Sequence, residues 1–230
     1  MLVKDHMTTG LVTVLPDTLV GDALDMMRAE NIRRMPVVDE KGMVVGIVSE
    51  RDLLNVSSLA DTGGLWEWGR LDSKAKVEEV MTREVITVSP NLTLEDAARI
   101  MADNAISGLP VLEGERLVGI ITETDLFFIM LEMVGAREWG VRVSVTVKDI
   151  PEGIAKVTSA ISAERGNILA LATYPDQGEE ACQVMMVVEG VLQERLVELL
   201  EPVVERIRDV RVKNRWRLQP MFVPAVYYKN

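Results

Sequence analysis

Apolar positions in this chain alternate between two spacings, and they do so in the same order twice. Leu11–Val14 is a short apolar run closed by Pro16 and predicts a strand. Val20, Ala23, Leu24 and Met27, and then Ile32, keep helical spacing, which predicts an amphipathic helix over 19–31. Met35–Val38 and Val44–Ser49 flank a turn at Glu40–Gly42 and predict a hairpin. Further on, Thr93 and Asp96 form a capping box that opens an equivalent helix. Leu109–Leu112 and Leu117–Thr122 then predict a second hairpin. Each pass reads strand, helix, strand, strand, helix.

The two passes align residue by residue over 3–55 and 77–129. Met7 and Thr8 fall on Met81 and Thr82, Pro16 on Pro90, Asp22–Ala23 on Asp96–Ala97, and Pro36–Val37 on Pro110–Val111. One residue is then missing at the turn around Gly42, after which Gly46, Ser49 and Asp52 meet Gly119, Thr122 and Asp125. A single deletion at a turn, with both flanks in register, marks two copies of one structural unit. A unit of about 55 residues is too small to bury a strong core alone. The copies are therefore expected to pack about a pseudo-twofold axis, leaving two related clefts of the kind that hold small ligands.

The pattern breaks over 56–76, where Gly63, Gly64 and Gly69 surround Trp66 and Trp68. The reading is a linker whose tryptophans cover an apolar surface of this subunit or of a partner. From Gly140 a new unit begins. Val141, Val143, Val145 and Val147 alternate with polar residues and predict a half-buried strand. Pro151 opens a helix with Ile154, Val157 and Ile161 on one face, ending at Gly166. Ile168–Tyr174 and Cys182–Val188 predict strands joined through Pro175–Gly178. Leu192, Leu196, Leu199 and Val203 form a second helical stripe, and Val210–Val212 a last strand. The order βαββαβ is ferredoxin-like. The expected organisation is a mixed α/β chain: copies at 1–55 and 77–132, a third unit at 140–213, and an extended tail, 214–230, lying along a neighbouring subunit.

Composition narrows the function. The chain is 48% apolar with only 4% aromatic residues, which suits sheets covered by helices. No apolar run reaches the roughly 18 residues a membrane helix needs, and no secretory signal pattern opens the chain. The lone Cys182 excludes an internal disulfide framework, so a cytoplasmic setting is expected, with Cys182 itself a buried, inert thiol in a strand. Thirty-six acidic against 25 basic residues, net −11, argue against nucleic-acid binding. The only histidine, His6, is expected at the surface or in packing; it and Cys182 leave no metal site and no nucleophile–base pair. No catalysis, metal or resident cofactor is expected.

The repeated segments GIVSERDL (46–53) and GIITETDL (119–126) carry the candidate chemistry. Each places Ser/Thr-x-x-Asp where an apolar strand meets a helix. A hydroxyl and backbone N–H groups at the positive helix end suit a phosphate, and the aspartate one turn on can accept two hydrogen bonds from a ribose. The same spacing is also a capping box, which stabilises a helix by about 1 kcal/mol with no ligand. With the MTxxxxTVxP and hPVh elements, where h is an apolar residue, the duplicated segment resembles paired CBS domains, the regulatory modules named after cystathionine β-synthase. That resemblance implies an adenine nucleotide between the repeats, with Asp52 and Asp125 as ribose acceptors and Ser49 and Thr122 as phosphate donors. Arg33, Arg34 and Arg51 surround the first pair, whereas Ser107, Gly108 and Thr124 take their places in the second copy. The first cleft is therefore read as the phosphate-holding one, its base against Ile86, Thr87, Ile106 and Ser107. The second, with Val12, Thr13, Ile32, Gly108, Thr122, Thr124 and Asp125, is expected to hold a less charged adenosine compound or nothing.

The segment 148–169 resembles the ACT domain, a small-ligand module of the same βαββαβ order. Its pattern would place an amino acid against Asp149, Ile150, Pro151 and Gly153, facing Asn167, whose tolerance of a left-handed turn is an alternative reason for its presence. Glu152 stands where that family has glycine; a dimerising scaffold is the other reading of this unit. Two CBS repeats followed by an ACT unit resemble the acetoin-utilisation B-type regulators of bacteria. The resemblance implies a homodimeric, non-enzymatic sensor of AMP, ADP or ATP acting on an unknown regulated protein. The alternative is a structural interaction scaffold whose Ser/Thr-x-x-Asp motifs only cap helices.

Overall fold

In the computed structural model, residues 1–59, 74–176 and 180–213 are described. Trp66, Trp68 and the tail 214–230 lie outside the described residues. The chain divides into two compact units, Met1–Phe127 and Phe128–Asn230.

In the first unit, each predicted helix and hairpin forms. Helix α1 spans Val20–Ala29, and strands β1 (Arg34–Val38) and β2 (Val44–Ser49) pair antiparallel, Arg34 opposite Ser49. Helix α2 (Glu50–Leu59) follows at once and runs four residues into the segment read as linker. The second copy repeats this with α3 (Leu94–Asp103), β3 (Gly108–Glu113), β4 (Arg116–Thr122) and α4 (Glu123–Met133), the division between units falling within α4. Gly108 stands opposite Thr122, as Arg34 does opposite Ser49. The Thr93 cap of α3 is made: its Oγ1 accepts from Asp96 N at 3.1 Å. The strand expected at Leu11–Val14 does not form; Val14 alone bridges Val37 in parallel, as Val88 bridges Val111. The chain reaches this point from the other copy and turns away again at Pro16, so only one residue lies alongside β1.

That crossing is the main departure from the aligned repeats: the leading segment of each copy completes the other. Val3 N donates to Leu92 O and Lys4 N to Pro90 O, while Thr8 and Ile120 exchange both backbone bonds at 2.9 and 3.0 Å. The same contacts recur with the copies reversed. Val77 N donates to Thr18 O and Glu78 N to Pro16 O, and Thr82 and Ile47 exchange bonds at 2.9 and 3.0 Å. Val77 and Met81 accordingly join the core built from Val20, Leu24, Met27, Met35 and Leu53 of the first copy. The exchange also explains the glycine shared by the repeated motifs. A Cβ on Gly46 would lie 2.5 Å from Met81 Sδ, and one on Gly119 would strike Met7 Sδ in the same way. Two segments that each depend on the other copy hold the copies together as one body.

The second unit has β5 (Gly140–Lys148), α5 (Pro151–Ala163), β6 (Asn167–Pro175), β7 (Ala181–Glu189), α6 (Gln193–Leu200) and β8 (Arg206–Lys213). Its antiparallel sheet has the order β6-β7-β5-β8, the ferredoxin-like arrangement. Val141, Val143, Val145 and Val147 pack with Val157 and Ile161 of α5 and Leu196 and Leu200 of α6. Leu192, grouped with that stripe on spacing, is instead the N-cap of α6 and 77% exposed. Gly135 lies over the opposite face, where an added Cβ would meet Ala170 and Val187, and Lys213 Nζ donates to Gly135 O and Ala136 O. Cys182 is half-buried in β7, and desolvation, with Asp149 nearby, raises its thiol above the ordinary value.

Candidate functional site

Both Ser/Thr-x-x-Asp motifs fold as caps at the strand–helix junctions. Asp52 Oδ2 accepts from Ser49 N at 2.9 Å and from Ser49 Oγ at 2.6 Å. Asp125 Oδ2 accepts from Thr122 N at 2.8 Å and from Thr122 Oγ1 at 2.7 Å. In each motif these cap bonds fall on Oδ2 of the carboxylate. The segment before each first strand is tied to the same junction. Glu50 N donates to Arg33 O at 2.8 Å, and Glu123 N to Ser107 O at 3.2 Å.

The crossing segments bring the remaining candidates toward these junctions. Thr82 is bonded to Ile47, near Ser49, while Val88 is bridged to Val111; Ile86 and Thr87 lie on the chain between. By the same symmetry Val12 and Thr13 lie between Thr8, bonded to Ile120 near Thr122, and Val14, bridged to Val37. Thr13 also lines a groove of about 460 Å³ with Gly10, Leu11, Val38, Gly42 and Arg116–Val118. Arg33, Arg51, Ile86 and Thr124 are exposed, and Thr87, Ile106 and Ser107 half-buried. Ile32, assigned to the second cleft on sequence, packs against the first copy's core, because Ile32 N donates to Met27 O and turns the chain back over α1.

Arg34 reaches beyond its sequence grouping. Its guanidinium donates to Ser107 Oγ at 2.6 Å, within the set that also holds Asp52, but its side chain lies against Gly108 of the second set. Burial pulls it below its ordinary value, Glu123 pushes back up, Arg33 lowers it and Asp125 raises it. The two carboxylates that raise it, Glu123 and Asp125, both belong to the second copy's junction. Glu123 was missed from sequence; the signal was the glycine at 108, which leaves room for a long side chain from across the axis.

Comparison with known proteins agrees with this architecture. A family model described as the CBS domain matches residues 3–59 and 77–132. The CBS domain-containing protein YhcV of Bacillus subtilis is 38% identical over 124 residues, 54% of this chain and 81% of that protein. The chain belongs to the CBS domain family. The CBS pair is also similar to part of the inosine-5'-monophosphate dehydrogenase of Methanocaldococcus jannaschii, 30% identical over 67% of this chain but 28% of the enzyme. A protein assigned to acetoin utilization (AcuB) from Vibrio cholerae, known by crystal structure, is 33% identical over 60% of this chain and 96% of its own, with a TM-score of 0.50.

Beyond the CBS pair, the second unit has a cavity of about 650 Å³ lined by Lys148, Asp149, Ile150, Glu180, Ala181 and Glu205. Asp149 and Ile150 line it as the sequence grouping expects, but three carboxylates around it oppose an amino acid's carboxylate. Asn167 is not brought to this site. Lys148 pairs with Ala181 at the start of β7 and Asn167 with Glu189 at its end, so the length of the strand, roughly 26 Å, separates them. Nor is Asn167 the left-handed residue; that is Arg165, at φ 60. Pro151 is the first residue of α5, and Gly153 is buried against the carbonyl of Lys148.

Proposed function

We propose that this protein senses an adenine nucleotide between its CBS repeats and, as a homodimer without catalysis of its own, relays the bound state to a partner protein. The observation that carries the reading is the pair of hydroxyl–carboxylate junctions, Ser49 with Asp52 and Thr122 with Asp125, in one body with Arg34 between them. The Asp52 and Asp125 carboxylates are acceptors for vicinal ribose hydroxyls. Ser49, with Arg33 and Arg51 nearby, offers donors for phosphate, and Ile86, Thr87, Ile106 and Ser107 offer a surface for the base. The ferredoxin-like unit, on its resemblance to ACT domains, is the dimerising module. The likeness to the Vibrio cholerae protein is what supports a role in acetoin or acetate metabolism.

Calorimetric titration of the full chain with AMP, ADP and ATP tests the reading. At least one nucleotide is expected to bind, and Asp52→Ala is expected to weaken it by about tenfold, the loss of charge-assisted ribose bonds. Unchanged affinity in Asp52→Ala, or no binding by the wild type, would favour the scaffold reading, in which the motifs only cap α2 and α4.

A further inference from the structure

We infer that Arg34 is one cation shared by the two clefts, so that a phosphate held in either draws it away from the other. The inference rests on the nucleotide reading above. The backbone of Arg34 belongs to one cleft, and its side chain reaches the other. Its Cα is paired with Ser49, the hydroxyl residue of the Asp52 junction. Its side chain lies against Gly108, the residue paired with Thr122 of the Asp125 junction, and donates to Ser107 Oγ at 2.6 Å.

Pseudo-symmetry makes this cation single. The counterpart of Arg34 in the second copy is Gly108, and a Cβ there would lie 2.7 Å from Arg34 Cδ. The space that a second arginine would need is thus filled by the first. Arg34 lies in the field of Glu123 and Asp125 of the second junction. Because its Cα stands beside Ser49, rotation of its side chain suffices to reach a phosphate there. A phosphate in the Asp52 cleft then leaves Glu123 and Asp125 without that charge and the second cleft less able to hold another anion. Coupling of this kind is reciprocal. It acts between phosphorylated ligands and is silent for uncharged adenosine.

Titrations of the full chain with AMP and with adenosine test the sharing. Asp125→Asn leaves the first cleft to be measured alone, and Asp52→Asn the second. Adding Arg34→Gln is expected to weaken AMP by about tenfold in both backgrounds, the cost of one charge-assisted contact, with adenosine unchanged. Arg34→Lys, which keeps the charge, is expected to recover most of the loss. In the wild type a second AMP binds more weakly than the first, while two adenosines bind independently. If Arg34→Gln weakens AMP in only one background, the residue serves that cleft alone and the sharing is overturned, with nucleotide binding intact. If neither AMP nor adenosine binds the wild type, the nucleotide reading itself fails, and the inference with it.

Discussion

Deleting residues 1–8 unfolds the second CBS repeat while sparing the first. The segment belongs by sequence to the first copy, yet its contacts are with the second. Val3 is wholly buried, and Met7 lies against Gly119. Val3 N, Lys4 N and Thr8 N donate to carbonyls of Leu92, Pro90 and Ile120. Losing a buried valine and a methionine, and leaving strand groups of β4 unpaired, is expected to cost more than about 4 kcal/mol, a large share of a small domain's stability. Hydrogen exchange locates the damage: amides of α3, β3 and β4 should lose protection, whereas those of α1, β1 and β2 keep theirs. Lost protection in the first repeat instead would mean that the segments are not exchanged.

Gly153→Val is expected to destabilise the C-terminal unit by about 3 kcal/mol, the scale of severe overpacking against backbone. A Cβ at this position would run into the carbonyl oxygen of Lys148, so the first turn of α5 can lie against the end of β5 only if residue 153 is glycine. The neighbouring Glu152→Gly should move the melting temperature far less. Glu152 is exposed, and its contact is an ion pair with Lys156 at 2.7 Å, whose hydrogen bond holds the Glu152 carboxyl below its ordinary value. Thermal melts of the two variants decide between packing and ligand approach as the reason for glycine here. Equal losses would show that helix propensity, not the close contact, governs this turn.

The same residues show how far the chain could be read in advance. The stripe of Val20, Ala23, Leu24 and Met27 predicted a helix over 19–31, and α1 spans Val20–Ala29 before Asn31 turns the chain at φ 53. The alternation of Val141 to Val147 is β5, but Ser144 and Thr146 on its other face are buried too, so this inner strand is not the half-buried one expected. The βαββαβ order emerges as the sheet β6-β7-β5-β8. Element type was legible because the apolar period is set by local backbone geometry. Leu192 defeated the same reasoning: periodicity carries no information on where a stripe stops, and the helix begins one residue later. Asn167 was grouped with Asp149 because a resemblance supplies a set of residues without the strand that separates them.

Periodicity and internal alignment by themselves determined that this chain holds two copies of one unit followed by a ferredoxin-like fold. They also determined that a hydroxyl and a carboxylate meet at two helix starts. All of these are relations between residues close in sequence, or between two stretches compared side by side. Tertiary structure alone decided that each leading segment serves the other copy, because residues 3–8 and 77–82 are so alike that no local pattern distinguishes their destinations. It alone decided that Arg34, rooted beside Ser49, extends its side chain against Gly108. A long flexible side chain goes where space and opposite charge are found, and here both lie across the pseudo-twofold axis, at Gly108, Glu123 and Asp125.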